Sequence, residues 1–332
     1  MTTLRAFRIH HDDASHRAGI EQINTDALSP GEVLVAVAYS SVNYKDALAG
    51  TGKGRILRSY PLNGGIDAAG HVLASTDPAF REGDAVLCTG SGLSETRDGG
   101  YAQLIRLPAR WTVPLPAGLS LREAMIIGTA GFTAALALKR MQDNRQTPDL
   151  GPIAVTGASG GVGMLAIDIF SRAGYQVHAI SGKADHFGFL QRLGATECID
   201  RRQLLFSGKP LDTVCFGGAL DNVGGGMLSG LLPLISPFGN VALCGNAGGV
   251  AFDGTVMPFI IRGASLLGIA SAGTARDIRD EVWRHLASDW KPQHLDRIAT
   301  REIPLDALPE VFERMLAGES FGRTLVRIDS AV

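Results

Sequence analysis

The chain has 332 residues, a length that predicts two domains rather than a single hydrophobic core. Hydrophobic residues make up 45% and charged residues 19%, which is an ordinary globular balance. The formal net charge of −2 does not suit a nucleic acid or another polyanion as a partner. No apolar stretch reaches the roughly 18 residues of a membrane span, and the N-terminus lacks the apolar segment of a signal peptide.

The cysteine pattern bears on the compartment. Four cysteines are widely spaced and form no CxxC pair: Cys88, Cys198, Cys215 and Cys244. This spacing favours reduced thiols over a disulfide framework. We therefore expect a cytoplasmic protein, without membrane or nucleic-acid partners.

The chain up to Pro116 predicts a β-rich unit, because short alternating or apolar segments are separated by Gly, Pro and Asp. The predicted strands are Leu4–Ile9, Gly31–Tyr39, Gly65–Ala74, Asp84–Thr89 and Arg106–Val113. A stiff connector, Pro114-Leu115-Pro116, ends the unit. A predicted helix over Leu121–Met141 follows, interrupted by Gly128 and Gly131.

From Pro152 onward, strands and helices alternate, which predicts a parallel sheet with crossover helices. The predicted elements are strand Ile153–Thr156, helix Val162–Ala173, strand Gln176–Ser181, helix Asp185–Leu193, and strands Cys198–Asp200, Asp212–Phe216 and Asn240–Cys244. Near the C-terminus, Ala307–Ala317 predicts a helix and Thr324–Ile328 a strand. We expect this last strand to return to the β-rich unit.

The segment Ile153–Gly163, IAVTGASGGVG, carries the strongest local signal, a GxxGxxG spacing between a strand and a helix. Gly160 and Gly161 allow the backbone to approach a pyrophosphate, and Gly163 allows the helix to pack closely on the strand. The helix N-terminus then offers free N–H groups to the phosphates. An ordinary glycine-rich turn is the alternative, but the complete strand, helix and second strand favour dinucleotide binding.

The end of the second strand indicates which dinucleotide is bound. NAD-specific folds usually place Asp or Glu there, on the ribose 2′-hydroxyl, whereas this chain has Ser181, followed by Lys183. A hydroxyl and an ammonium suit a 2′-phosphate, and Arg201 could add another cation. We therefore predict NADP(H). The alternatives are a merely solvated Lys183 and an acidic role for Asp185, which we place at the N-cap of the next helix.

Five segments together resemble a known family: SVNYKDA (Ser41–Ala47), GGIDAAG (Gly64–Gly70), MIIGTAGFT (Met125–Thr133), TGASGGVG (Thr156–Gly163) and VMPFII (Val256–Ile261). The chain resembles the zinc-independent quinone-oxidoreductase branch of the medium-chain dehydrogenase/reductase superfamily, and within it the YhdH/YhfP-like group, which includes acryloyl-CoA reductase. The resemblance spans essentially the whole chain. It implies an α/β fold with a GroES-like catalytic domain over 1–121 and 297–332 and a Rossmann NADP-binding domain over 122–296. We also expect a homodimer.

The same comparison exposes missing zinc ligands. Where zinc-dependent relatives have Cys-His and His-Glu, this chain has Asn43-Tyr44 and Ile66-Asp67. The third ligand region, Ile127–Thr129, has no Cys or His, and the lobe Gly90–Gly100 has no cysteine. Because zinc needs three or four converging N, S or O ligands, we expect no metal.

The resemblance also implies the cofactor contacts. Tyr44 would lie near the nicotinamide; the alternative for this residue is a packed aromatic at a sheet edge. The other implied contacts are Ser159, Gly160, Gly161 and Val162 on the pyrophosphate, Ser181, Gly182, Lys183 and Arg201 around the 2′-phosphate, and Asn246, Ile260 and Ser271 on the nicotinamide half.

Without a metal to polarise an isolated carbonyl, a conjugated alkene is the easier hydride acceptor. Charge would move onto a carbonyl oxygen, which Asn43, Tyr44 and nearby backbone N–H groups could hold. Tyr44 or water would protonate the α-carbon. Asp67 would either orient Asn43 or Tyr44 or serve as a buried structural acid.

The loop after this segment is basic, with Lys53, Arg55 and Arg58. It suits the phosphates of coenzyme A, although a solvated loop is an equal alternative. We therefore expect NADPH-dependent reduction of a short 2-enoyl-CoA, with acryloyl-CoA favoured. An NADPH:quinone oxidoreductase and a non-catalytic NADPH-binding sensor are the alternatives.

Overall fold

The computed structural model describes residues 3–12, 15–204 and 206–329. The chain forms two compact units, a β-rich unit (Met1–Thr129, Ala272–Glu281 and Leu295–Val332) and a parallel-sheet unit (Ala130–Ser271 and Val282–His294). These bounds differ from the expected ones at 121/122 and 296/297. The β-rich unit extends to Thr129 and also takes in Ala272–Glu281, where the Arg279 guanidinium donates to the Thr89 carbonyl at 2.9 Å.

The secondary-structure elements have the following bounds. The strands are β1 (Thr3–His11), β2 (His16–Asn24), β3 (Val33–Ser41), β4 (Leu62–Asn63), β5 (Asp67–Ser75), β6 (Ala85–Thr89), β7 (Leu104–Leu107), β8 (Val113–Pro114), β9 (Ile153–Thr156), β10 (Val177–Ser181), β11 (Glu197–Asp200), β12 (Gly218–Asp221), β13 (Asn240–Leu243), β14 (Ser265–Gly268), β15 (Ala299–Ile303) and β16 (Arg323–Arg327). The helices are α1 (Tyr44–Thr51), α2 (Leu121–Asp143), α3 (Gly161–Arg172), α4 (Phe187–Arg192), α5 (Gly225–Leu231), α6 (Met257–Arg262), α7 (Arg276–Leu286), α8 (Leu295–Ile298) and α9 (Leu308–Leu316).

The β-rich unit contains two sheets, one of order β2-β1-β4 and one of order β15-β16-β3-β5-β6-β8, with β7 also paired to β3. Alternate side chains of β3 are buried, which is the pattern of a strand with one face on a core. β16 pairs antiparallel with β3, with Leu325 opposite Ser41, and parallel with β15. The prediction that the last strand returns to this unit is therefore confirmed.

The parallel-sheet unit holds six strands in the order β11-β10-β9-β12-β13-β14, and every pairing is parallel. All residues of β9 and β12 are buried, as expected of central strands covered on both faces. The predicted parallel sheet is confirmed.

One predicted strand, Asp212–Phe216, is wrong, because the strand beside β9 is β12, which begins at Gly218. Phe216 makes only an isolated bridge to Ile235. A Cβ at Gly218 would lie 2.7 Å from the Asn240 carbonyl oxygen, so only glycine fits where β12 begins between its neighbours. The apolar residues within Asp212–Phe216 led to the wrong strand prediction.

Helix α2 is kinked at Gly128, whose φ of 49° and ψ of −156° are not helical. A Cβ at this position would lie 2.6 Å from Asp67 Oδ2 and 2.8 Å from Arg323 Nη2. The glycine therefore leaves room for two buried charged side chains. Within the described residues, α2 is also the one helix long and apolar enough to cross a membrane, and 78% of its most apolar window is buried inside the protein.

Candidate active site

The first turn of α1 presents Tyr44. Asn43 is the N-cap, and its backbone N–H donates to Asp46 Oδ2 at 2.9 Å, which fixes the start of the helix. Tyr44 is the first helical residue, and its side chain is 44% exposed. The alternative of a packed aromatic at a sheet edge therefore does not describe its position.

Beneath this turn lies Asp67, a fully buried carboxylate with four hydrogen-bond donors around it. Ser41 Oγ donates at 2.6 Å, Asn43 Nδ2 at 2.8 Å, Thr129 Oγ1 at 2.6 Å and the Thr129 N–H at 3.0 Å. The Arg323 guanidinium lies 3.8 Å away. Because Asp67 has no exposed surface, its contacts are with protein groups alone, and the choice between an orienting and a structural role stays a prediction.

Both the nitrogen and the oxygen of the Asn43 side-chain amide are hydrogen-bonded within the protein, which bears on the role expected for Asn43. Its Nδ2 donates to Asp67 Oδ2 at 2.8 Å and reaches Asp46 Oδ2 at 3.2 Å, and its Oδ1 accepts from Arg323 Nη1 at 3.0 Å. No amide hydrogen is left for a developing oxyanion. These contacts favour a positioning role for Asn43, and its expected contact with the substrate oxygen stays a prediction, as do those of Tyr44 and the first-turn N–H groups of α1.

Arg323, which the sequence analysis missed, completes this network. The guanidinium donates to the backbone carbonyls of Ile126 at 3.0 Å and Val42 at 2.9 Å and to Ser41 Oγ at 2.6 Å. Its residue is only 3% exposed, and burial lowers its pKa. Its place shortly before the apolar pair Leu325–Val326 of β16 was the only sequence signal for it.

Asp46 is a second buried acid beside the first. Its Oδ1 accepts the Ile66 N–H at 2.9 Å. Burial, and then the like charge of Asp67, raise the pKa of Asp46 to about 7. Tyr101 donates its hydroxyl to the Ser41 carbonyl at 3.1 Å, and burial raises the pKa of this phenol well above its usual value.

The positions that correspond to zinc ligands are thus filled by a hydrogen-bonded network. Across the described ranges, no group of three or more His, Cys, Asp or Glu side chains is placed to hold a metal ion. The absence of a metal from the working protein stays a prediction.

The glycine-rich loop lies at the end of β9. Gly157 has a φ of 57°, a left-handed conformation that favours glycine. Gly160 is the N-cap of α3, and a Cβ at Gly163 would lie 2.5 Å from the Gly157 carbonyl oxygen. The first-turn N–H groups of α3, including those of Gly161 and Val162, start where a pyrophosphate would bind. The loop therefore fits a dinucleotide as the spacing predicts.

Of the residues expected around a 2′-phosphate, Ser181 is buried, Lys183 is half-buried, and Gly182 and Arg201 are exposed. Ser181 is 3% exposed; its hydroxyl donates to Ser159 Oγ at 3.1 Å and accepts the Lys183 N–H at 3.1 Å. The exposed Arg201 side chain packs against Gly182, where a Cβ would lie 2.7 Å from the guanidinium Nε. Ser181 therefore shapes the turn, and Lys183 and Arg201 are left as the cations.

Two acidic residues, Asp200 and Asp185, lie near this turn. Arg202 donates to both oxygens of Asp200 and lowers the pKa of that carboxyl to about 2. Asp185 is not the N-cap of α4, contrary to expectation. It lies in the 3₁₀ turn Ala184–His186, and His186 is the cap.

The remaining cofactor candidates lie further along the parallel-sheet unit. Asn246 is exposed and follows β13, and Ser271 begins the 3₁₀ turn after β14. Both follow carboxyl ends of parallel strands, the edge where ligands of such sheets bind. Ile260 lies instead on α6, between β13 and β14, with 67% of its surface exposed. The roles of these three residues stay predictions.

Of the three cations expected together in the basic loop, only two lie in one pocket. Lys53 Nζ pairs with Glu313 Oε2 at 2.6 Å, and both side chains are more than half exposed. Arg55 and Arg58 instead line a pocket of about 360 Å³ together with Lys45, Ile56, Leu57 and Glu95. Lys45 is thus a cation that the sequence analysis missed, and Lys53 lies outside the pocket.

Known proteins resemble this chain over its whole length. Residues 29–117 match the alcohol dehydrogenase GroES-like domain. The acrylyl-CoA reductase AcuI of Ruegeria pomeroyi is 40% identical, over 98% of this chain and 100% of that protein. YhfP of Bacillus subtilis is 44% identical over 96% of each chain. This chain belongs to their family, the quinone-oxidoreductase-like group of the medium-chain dehydrogenase/reductase superfamily.

Solved structures from this family agree in fold. The yhdH oxidoreductase of Salmonella enterica, in complex with NADP, has a TM-score of 0.94 at 43% identity and covers 98% of this chain and 100% of its own. The structure of YhfP with NAD bound has a TM-score of 0.94 at 42% identity, with the same coverage. The predicted α/β fold, GroES-like and Rossmann, is therefore confirmed.

Proposed function

We propose that the protein is an NADPH-dependent reductase of the carbon–carbon double bond of a short 2-enoyl-CoA, with acryloyl-CoA as the first choice. The observation that carries this proposal is the dinucleotide loop at β9, with the cations Lys183 and Arg201 just after β10 and β11. The relationship to AcuI, named an acrylyl-CoA reductase, supports the substrate class.

The residues of the parallel-sheet unit fit the cofactor. Glycine is required at Gly163 by its close contact with Gly157, and the buried Ser159–Ser181 pair holds the turn that carries Lys183. When bound, NADPH supplies the hydride. Lys183 and Arg201 would bind its 2′-phosphate, and the N–H groups at the start of α3 would bind its pyrophosphate.

The β-rich unit supplies the groups for the acyl substrate. As a hydride adds to the β-carbon, the π electrons move to the thioester oxygen as an enolate, and a proton then adds to the α-carbon. We assign the Tyr44 hydroxyl and the first-turn N–H groups of α1 as donors to that oxygen. Tyr44 or water delivers the proton. Asn43 and Asp67 position this turn from below.

A substrate panel that follows NADPH absorbance tests the proposal. Acryloyl-CoA should be reduced with a much higher kcat/KM than free acrylate or a simple benzoquinone, because the coenzyme A portion adds binding energy remote from the reacting carbons. Higher turnover of quinones would favour the quinone oxidoreductase alternative. Stoichiometric NADPH binding without oxidation by any acceptor would favour the sensor.

We also propose that the protein works as a homodimer in the cytoplasm. β14 is the last strand of the six-stranded sheet. Near it, Phe238, Val256 and Ile261 are each more than 60% exposed, and exposed apolar surface of this kind is typical of an interface. Analytical ultracentrifugation should give twice the mass of the chain, 35.0 kDa; a monomer at micromolar concentration would contradict the proposal.

A further inference from the structure

The pocket of about 360 Å³ beside α1 has an unusual charge arrangement. Lys45, Arg55 and Arg58 supply three cations to its lining, and Glu95 supplies one carboxylate. Ile56 and Leu57 contribute an apolar wall. Lys45 directly follows Tyr44, so the pocket begins one residue from the group assigned to the reaction.

Glu95 is held between two of the three cations. Lys45 Nζ contacts Glu95 Oε2 at 2.5 Å, and Arg58 Nη2 contacts Glu95 Oε1 at 3.1 Å. The hydrogen bond from Lys45 is the main cause that lowers the pKa of Glu95. The Arg58 N–H also donates to the Glu95 carbonyl at 2.7 Å, which joins the two segments.

Arg55 is different from the other two cations. Its side chain is exposed, and it makes no hydrogen bond or ion pair with any other described residue. Three cations and one carboxylate leave two positive charges in the pocket. That charge matches a doubly charged phosphate group, and the planar guanidinium of Arg55 offers paired N–H donors to it.

We infer that this pocket binds a doubly charged phosphate of the acyl carrier, and that Glu95 is the resident counter-ion that this phosphate displaces from Lys45 and Arg58. The inference rests on the proposed function, because coenzyme A is what brings the phosphate. Arg55 receives the phosphate first, and Lys45 and Arg58 exchange their carboxylate partner for phosphate oxygens. Glu95 therefore weakens phosphate binding and disfavours singly charged anions, which cannot compensate for the lost pairs.

Two groups of coenzyme A carry two negative charges: the 3′-phosphate on a single phosphorus, and the pyrophosphate with one charge on each of its two phosphates. Dephospho-CoA keeps only the pyrophosphate, so a comparison of its binding with that of coenzyme A shows which of the two groups the pocket binds. If the 3′-phosphate is bound, substitutions in the pocket affect coenzyme A alone. If the pyrophosphate is bound, they affect both ligands equally.

The test is isothermal titration of the intact protein with coenzyme A and dephospho-CoA, which requires no turnover. Glu95→Gln should tighten coenzyme A binding, and Arg55→Met should weaken it, each by up to roughly fivefold, the size of an exposed ion-pair effect. Both effects should shrink at high salt. The matched controls are Glu313→Gln and Lys53→Met, which break an exposed ion pair outside the pocket and should leave binding within about twofold.

The outcomes separate this inference from the proposed function. Unchanged or weaker binding in Glu95→Gln, or equal effects of Arg55→Met and Lys53→Met, would overturn the inference even if acryloyl-CoA is reduced. Absence of acryloyl-CoA reduction together with the expected binding changes would overturn only the function. Circular dichroism of each variant verifies that the substitutions leave the fold intact.

Discussion

At the residue scale, the network around Asp67 explains how the positions that correspond to zinc ligands build a rigid site. A buried carboxylate is stable only when it is paired and hydrogen-bonded, and Asp67 has Ser41, Asn43, Thr129 and Arg323 for this purpose. The result is that Asn43 cannot rotate without leaving a buried charge unsatisfied. The exposed Tyr44 is therefore held by its buried neighbours rather than by its own contacts.

Arg323→Lys tests this positioning role. The substitution keeps the positive charge opposite Asp67 but removes the fork that reaches both Asn43 Oδ1 and Ser41 Oγ. We expect kcat for the enoyl-CoA to fall by roughly tenfold or more, because a small displacement of Tyr44 misaligns the donors. The Kd of NADPH, measured by fluorescence titration, should stay within about twofold. An equal loss in both quantities would indicate general damage to the fold instead.

Lys183→Ala tests the assignment of NADP(H). Removal of the ammonium should raise the KM for NADPH by about tenfold, the size of one charge-assisted contact to phosphate, and leave the KM for NADH nearly unchanged. The exposed Lys209 of the same unit gives a control, Lys209→Ala, that should affect neither cofactor. Because YhfP has been crystallised with NAD, equal kcat/KM for NADPH and NADH in the unaltered protein would refute the assignment.

At the element scale, local patterns predicted the elements whose signals are continuous in sequence. β9, the glycine-rich turn and α3 follow each other directly, so a single segment was sufficient to identify them. β2 and β14 were missed, because β2 is a largely half-buried or exposed strand and β14 has only four residues, close after the short helix α6. Gly128 was interpreted as a helix interruption, but its reason is long-range, the space taken by Asp67 and Arg323.

Gly163→Ala tests the packing of α3 against the loop. The new methyl group would lie 2.5 Å from the Gly157 carbonyl oxygen, a backbone atom that cannot move aside cheaply. We expect a loss of about 1–3 kcal/mol in stability and weaker binding of NADPH and NADH alike. Thermal unfolding and titration measure both effects. The control Gly188→Ala lies in α4, where the nearest atom to a Cβ is 3.6 Å away, and should cause no loss.

At the scale of the whole molecule, the length of the chain was enough to predict two domains, but the sequence did not predict where they begin and end. The residues between 122 and 129 belong to the β-rich unit, and the Thr129 N–H and hydroxyl both donate to Asp67. Such a contact joins positions 62 residues apart, so no local pattern reveals it. The same holds for Arg323, whose partners come from β3, its following turn and α2.

The free energy of unfolding should depend on pH through the titration of Asp46. The pKa of this carboxyl is raised from 3.8 to about 7 by burial and by Asp67. Between these two values the unfolded chain has released the proton that the folded chain still holds, so the contribution of Asp46 to stability is complete below pH 4 and is lost as the pH rises toward 7.

Asp46→Asn removes this titration while keeping an acceptor for the Ile66 N–H. The variant loses some stability at every pH, but the difference between its midpoint of thermal unfolding and that of the unaltered protein should depend on pH. Relative to the variant, the unaltered protein should lose several degrees from pH 4 to pH 7. A difference that is constant over this range would show that Asp46 is ionised throughout and that the Asp46–Asp67 pair is held as two charges by Arg323 and the surrounding N–H groups.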